Sequence, residues 1–201
     1  MKINKEQIKK LDPCKGGWEW YLEYGSEDLL ETLLKVNKEH ADWARWLFTK
    51  LMTMHQRRIV AVFAALQVLP IFEAKYPNDD RPRKAIEAVK RVLEIDNTET
   101  RKWARDAAAD AYAAAYAAAA YAAYTYAADA YAVAYAAAAY AYAAYAAADA
   151  YAYADAAAAY AAADAYTGAD AYTGAYAAAS RKKMQELIIR EAVRILDKGA
   201  E

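Results

Sequence analysis

Residues 106–179 constrain this chain more than any other stretch, because 45 of them are Ala, 16 are Tyr and 7 are Asp, with no Lys, Arg or Glu among them. The order is not random. Asp-Ala-Tyr recurs at Asp110, Asp129, Asp149 and Asp170, so Tyr112, Tyr131, Tyr151 and Tyr172 each follow an Asp by two residues. Six residues after each Asp stand Tyr116, Tyr135, Asp155 and Tyr176. Eleven after it stand Tyr121, Tyr140, Tyr160 and Arg181. The steps between repeats are 19, 20 and 21 residues, which marks an internal repeat and a shaped surface rather than a tether.

Such a stretch is expected to be helical, since Ala has the highest helix propensity and strands disfavour it. One straight helix of this length would reach ~110 Å. Twenty residues turn a helix face by roughly 200°, so equivalent positions on a single rod would point to opposite sides. A helix-plus-turn unit explains the period better, and the expectation is an array of stacked short helices. Each repeated Asp is then expected as an N-cap, accepting hydrogen bonds from first-turn amides.

The rest of the chain reads as conventional amphipathic helices, and the fold class expected is all-α. Three regions follow from the composition: an N-terminal helical bundle over 1–103, the repeat region over 104–179, and a C-terminal amphipathic helix over 180–201. Asp12-Pro13-Cys14-Lys15-Gly16-Gly17 predicts a loop anchored by Trp18, Trp20, Tyr21 and Tyr24. Ser26, Glu27 and Asp28 predict a helix start, followed by a stripe of Leu29, Leu30, Leu33 and Leu34. An apolar helix is expected over about 56–74, bent or interrupted near Pro70. Asp80 is expected to cap the next helix, with Pro82 in its first turn, and Asn97 and Thr98 to start another. Ser180 is expected to cap the final helix, whose Met184, Leu187, Ile188, Ala192, Ile195 and Leu196 follow helical spacing.

Charge is segregated. Residues 106–179 carry −7, while the other residues hold all 26 Lys and Arg against 20 Asp and Glu, a balance of +6. Recurring Asp argues against a membrane span. The N-terminus shows no signal-peptide pattern, and the single Cys14 allows no internal disulfide, so a cytoplasmic location is expected. No phosphate loop, metal spacing or catalytic set is visible: Gly16-Gly17 lacks the rest of a phosphate motif, and His40 and His55 stand apart. No cofactor or metal is expected, and no enzymatic activity. Mimicry of DNA fails on density, since duplex DNA has one charge per about 1.7 Å and the tract one Asp per roughly 16 Å. Ice binding fails because bulky Tyr interrupts the Ala and Thr is sparse.

Several stretches together resemble a known family. They are Cys14-Lys15-Gly16-Gly17 running to Tyr21, the Leu-rich helix at 28–36, Arg57-Arg58 opening an apolar helix, and Asp80-Arg81-Pro82-Arg83-x-Ala-Ile-Glu over 80–87. An Ala-rich tract with recurring Asp and Tyr follows, then a short amphipathic helix. This order resembles the bacterial and phage immunity proteins of the immunity-protein-five-like kind. The resemblance implies a non-enzymatic protein that binds and neutralises a toxin, and it brings no catalytic residues.

The surface expected to meet a partner comprises Tyr112, Tyr116, Tyr121, Tyr131, Tyr135, Tyr140, Tyr151 and Tyr160, with Arg81 and Arg83 beside it. Tyr offers a large rigid contact area with a polar tip. A cationic protein toxin would suit the local −7. A small signalling nucleotide, stacked on Tyr and held by Arg, is the second reading, and self-association into a homo-oligomer the third. DNA and membrane are not expected partners.

Overall fold

The computed structural model describes residues 1–125 and 174–199. Among these the chain is all-α, with eight helices and no strand. They are α1 (Lys5–Lys10), α2 (Lys15–Tyr24), α3 (Leu29–Glu39), α4 (Ala41–Leu51), α5 (Met54–Lys75), α6 (Arg81–Glu94), α7 (Thr98–Thr125) and α8 (Gly174–Lys198). The chain divides into two compact units, Met1–Thr53 with Ile189–Glu201, and Met54–Ile188. The boundary expected at 103/104 falls inside α7, and that at 179/180 inside α8.

In the first unit, local chemistry sets each helix start. Asn4 opens α1 with a reciprocal capping box: its side chain accepts from the Gln7 amide, and the Gln7 side chain accepts from the Asn4 amide, both at 2.9 Å. The expected loop at 12–17 is shorter than predicted. Asp12 makes the turn at φ 57°, and α2 begins at Lys15 with both glycines in its first turn. The Cys14 sulfur accepts from the Gly17 amide at 3.4 Å, supplying a cap that the Gly-Gly pair alone would not suggest. Trp18, Trp20, Tyr21 and Tyr24 therefore ride on a helix. The Trp20 indole N–H donates to Glu39 at 2.8 Å, tying α2 to the end of α3. Gly25 ends α2 where no other residue fits, since a Cβ there would lie 2.3 Å from the Tyr21 ring.

Asp28 caps α3, accepting from the Glu31 amide at 3.0 Å. Leu29, Thr32, Leu33, Val36 and Asn37 are buried, so of the stripe expected at Leu29, Leu30, Leu33 and Leu34 the first and third are in the core, while Leu30 and Leu34 are only half-buried. Thr32 is satisfied by Ser26, whose amide donates to its hydroxyl and whose carbonyl accepts from it. His40 ends α3 and starts α4 at once. Its amide donates to Val36, while its carbonyl accepts from Trp43 and Ala44. Its ring stacks on Trp43 at 3.9 Å between centroids. Ala44, Leu47, Phe48 and Met52 are buried, whereas Trp43 and Trp46 are only half-buried.

The second unit contains α5, which runs through Pro70 as one helix; of the bend or interruption expected there, the interruption does not occur. Among its residues Val60, Ala61, Val62, Ala64, Ala65, Leu69 and Phe72 are buried. Helices α6 and α7 form an antiparallel pair. The Arg91 guanidinium lies over the Trp103 ring near their turn, at 5.2 Å, and Arg81 at the far end of α6 is within electrostatic reach of Asp110. On α6 the buried face is Pro82, Ala85, Ile86, Ala88, Val89 and Val92. On α7 it is Ala104, Ala107, Ala108 and Ala111, spaced i, i+3, i+4, i+7. Asn97 starts α7 as expected, its side chain accepting from the Thr100 amide at 2.9 Å.

Three expected caps are corrected. Asp110 is no cap, because α7 continues through it for another 15 residues; the flanking Ala carry the helix across. Ser180 lies inside α8, which the Ala-rich residues before it extend back to Gly174. Asp80 occupies the cap position of α6, yet its side chain makes no cap bond and pairs instead with Lys84 at 3.0 Å. The remaining expected caps, Asp129, Asp149 and Asp170, and the array of short helices over 126–173 lie outside the described residues.

Candidate functional site

Tyr112, Tyr116 and Tyr121 all lie within α7, a single helix of 28 residues. Tyr131, Tyr135, Tyr140, Tyr151 and Tyr160 lie outside the described residues. The two arginines placed beside them are on α6, and both are committed to carboxylates of this same chain.

Arg81 binds Asp79 with two nitrogens. Its Nε donates to Asp79 Oδ1 at 2.8 Å and its Nη2 to Oδ2 at 2.5 Å, while the Arg81 amide donates to Oδ1 at 3.2 Å. Asp79 thus does what was expected of Asp80, meeting the first amide of α6 and the guanidinium beside it together. Its hydrogen bonds from Arg81 hold the Asp79 carboxyl below the usual carboxylate range. The same pairing raises Arg81, and the negative field of Asp110 and Asp80 adds to it. Arg83 forms a second fork, its Nε and Nη2 each donating to Glu73 at 2.7 Å. Bidentate pairs of this kind are among the more strongly oriented contacts a guanidinium makes.

A third cluster joins α5 to the α6–α7 turn. Arg58, only 4% exposed, donates to Asp96 at 2.7 Å, and Arg101 donates to the other oxygen of the same carboxylate. The hydrogen bonds from Arg101 first, and then Arg58, bring Asp96 down to about 2. Arg58 Nε is sealed from solvent with no hydrogen-bond partner among the described residues. The Arg57-Arg58 pair therefore contains one buried structural guanidinium. Arg91 and the 40%-exposed Trp103 form an aromatic–cation contact on this hairpin.

No described trio of His, Cys, Asp or Glu is arranged to hold a metal ion, and no described helix is long and apolar enough to cross a membrane. Sequence reasoning missed Asp79, Glu73 and Asp96. The neighbouring Asp79 was visible two residues from Arg81. Glu73 and Asp96 stand 10 and 38 residues from their arginines, distances that only the fold closes. Comparison with protein-family models, with curated proteins and with solved structures gave no match to this chain.

Proposed function

We propose that this chain is a non-enzymatic binding protein whose Ala/Tyr/Asp tract takes a cationic protein partner, in the manner of an immunity protein holding a toxin. The observation that carries the reading is the segregation of charge: from Asp106 to Ala179 seven Asp stand with no cation. A cationic partner would be drawn to that sign, and the 16 Tyr supply contact area at low entropic cost. The forks at Arg81 and Arg83 weigh against the nucleotide reading, because a phosphate would have to displace Asp79 and Glu73 to use them.

The test is affinity capture from the native host, with bound proteins and small molecules both identified. Wild type is compared with a variant carrying Tyr116→Ala, Tyr135→Ala and Tyr140→Ala, matched for helix content by circular dichroism. The expected result is a basic protein held by wild type and at least about tenfold more weakly by the variant. Equal affinity in the two, or a nucleotide as the captured species, overturns the proposal.

A further inference from the structure

The first unit carries a cleft of about 480 Å³ between the start of α1 and the α2–α3 turn, lined among others by Lys5, Glu6, Tyr21, Gly25, Ser26 and Glu27. A volume of this order suits a small ligand or one long side chain. The polar groups of the lining are unequally employed. The Ser26 hydroxyl accepts from the Asp28 amide and its carbonyl from Thr32. The carboxylates of Glu6 and Glu27 and the ammonium of Lys5 enter no ion pair among the described residues.

Tyr21 is the unusual member. It is 7% exposed, with Trp18 stacked on its ring at 6.2 Å and the Gly25 backbone pressed against the ring edge. Its hydroxyl has no hydrogen-bond partner among the described residues, yet it is not sealed inside the protein. The residue lines the cleft, and its hydroxyl is open to water and to a ligand there. Burial, and then the charge of Glu27, raise Tyr21 above the ordinary phenol value, so it stays a neutral hydroxyl with an acceptor oxygen.

We propose that this cleft binds an organic cation, an ammonium or guanidinium on a carbon chain, with Glu27 and Glu6 accepting from its N–H groups and the Tyr21 hydroxyl oxygen as third acceptor. Two carboxylates against one lysine leave the lining at −1. A metal ion is a poorer occupant, since two carboxylates and a phenol are few ligands for a hard cation. The proposal does not depend on the Tyr/Asp tract, for the cleft is built wholly from residues 4–27.

The full chain, labelled with ¹⁵N, is titrated with agmatine as a free cation and with a blocked Gly-Arg-Gly peptide as a protein-borne one. Urea serves as the neutral counterpart and inorganic phosphate as the competing anion. Saturable shifts of the Gly25, Ser26 and Glu27 amides are expected with at least one cation and not with urea. Glu27→Gln is expected to weaken binding about tenfold, and Tyr21→Phe about threefold with an unchanged thermal midpoint. Tighter binding of the peptide identifies a partner's basic side chain as the source; tighter agmatine binding identifies a free small cation. No saturable shift with either cation, equal affinity in Glu27→Gln, or binding of phosphate alone overturns the proposal. Glu27 is exposed and its side chain makes no internal bond, so that variant reads binding even if Tyr21→Phe fails to fold.

Discussion

Helices α6 and α7 pack on each other with very different residues. Helix α6 buries a proline, two alanines, an isoleucine and two valines, and its charged residues occupy the remaining face. The buried residues described on α7 are four alanines. The pair shows that an interface can take its apolar volume from one helix while the other contributes closeness. Small side chains let the α7 backbone approach, and the branched residues of α6 fill the space that approach leaves. The two helices should therefore fail in opposite ways: α6 on losing volume, α7 on gaining it.

The largest expected effect is on the α6 side. Ile86→Ala removes a 4%-exposed branched chain and should cost about 3 kcal/mol in urea unfolding. A loss below about 1 kcal/mol would mean that α6 does not supply the volume. On α7 the matching change is enlargement. Ala104→Leu, at a fully buried position, should cost about 2 kcal/mol, while Ala109→Leu on the exposed side should stay within about 0.5 kcal/mol of zero. Equal effects at 104 and 109 would break the comparison.

The turn joining the two helices gives the next effect. Asp96→Asn should cost about 1.5 kcal/mol at neutral pH, since it weakens the carboxylate anchor of buried Arg58 while water still reaches the carboxylate. Asp96 sits at about 2 in the folded protein, below an unfolded carboxylate near about 3.9. Its contribution is thus complete above about pH 4 and is lost as pH falls towards 2. Acid unfolding followed by circular dichroism should be less steep over that interval in the Asn variant. The smallest effect belongs to Asp110→Ala. In a continuous helix it should change stability by no more than about 0.5 kcal/mol, because better propensity offsets a weakened surface attraction to Arg81. A loss of about 1 kcal/mol or more is what a cap would give, and would argue for a helix start at that point.

Ordinary amphipathic segments were legible from sequence for the reason α6 illustrates. Where large apolar residues recur at helical spacing among charges, as in α3 and α6, the pattern names the helix, although in α3 it names only part of the buried face, since Leu30 and Leu34 are half-buried and Thr32 and Asn37 are inside. Pattern reading loses its contrast in α7, because Ala is on every side and only packing decides which Ala is inside. The same uniformity hid the helix ends: an Asp or Ser amid strong helix formers reads as a start, yet Asp110 and Ser180 are carried through. At 14–17 the error ran the other way. Two glycines read as a loop, but the Cys14 cap and the helix that follows hold them in a first turn. The candidate tyrosine face is legible only as a spacing, and five of its eight members lie beyond the described residues. The arginines placed beside it lie on α6; Asp79 stands two residues from Arg81, whereas Glu73 meets Arg83 only through the fold.

The joint at His40 limits this protein in a different way, through the length of the chain rather than its composition. One residue closes α3 and opens α4, and its side chain makes no cap bond. Exchanging the side chain there forfeits mainly the stack on Trp43. Adding or deleting one residue would turn α4 by about 100° against α3 and carry Ala44, Leu47 and Phe48 off their buried face. Relatives of this chain should accordingly vary in the identity of residue 40 and hold the spacing between Val36 and Ala44 fixed.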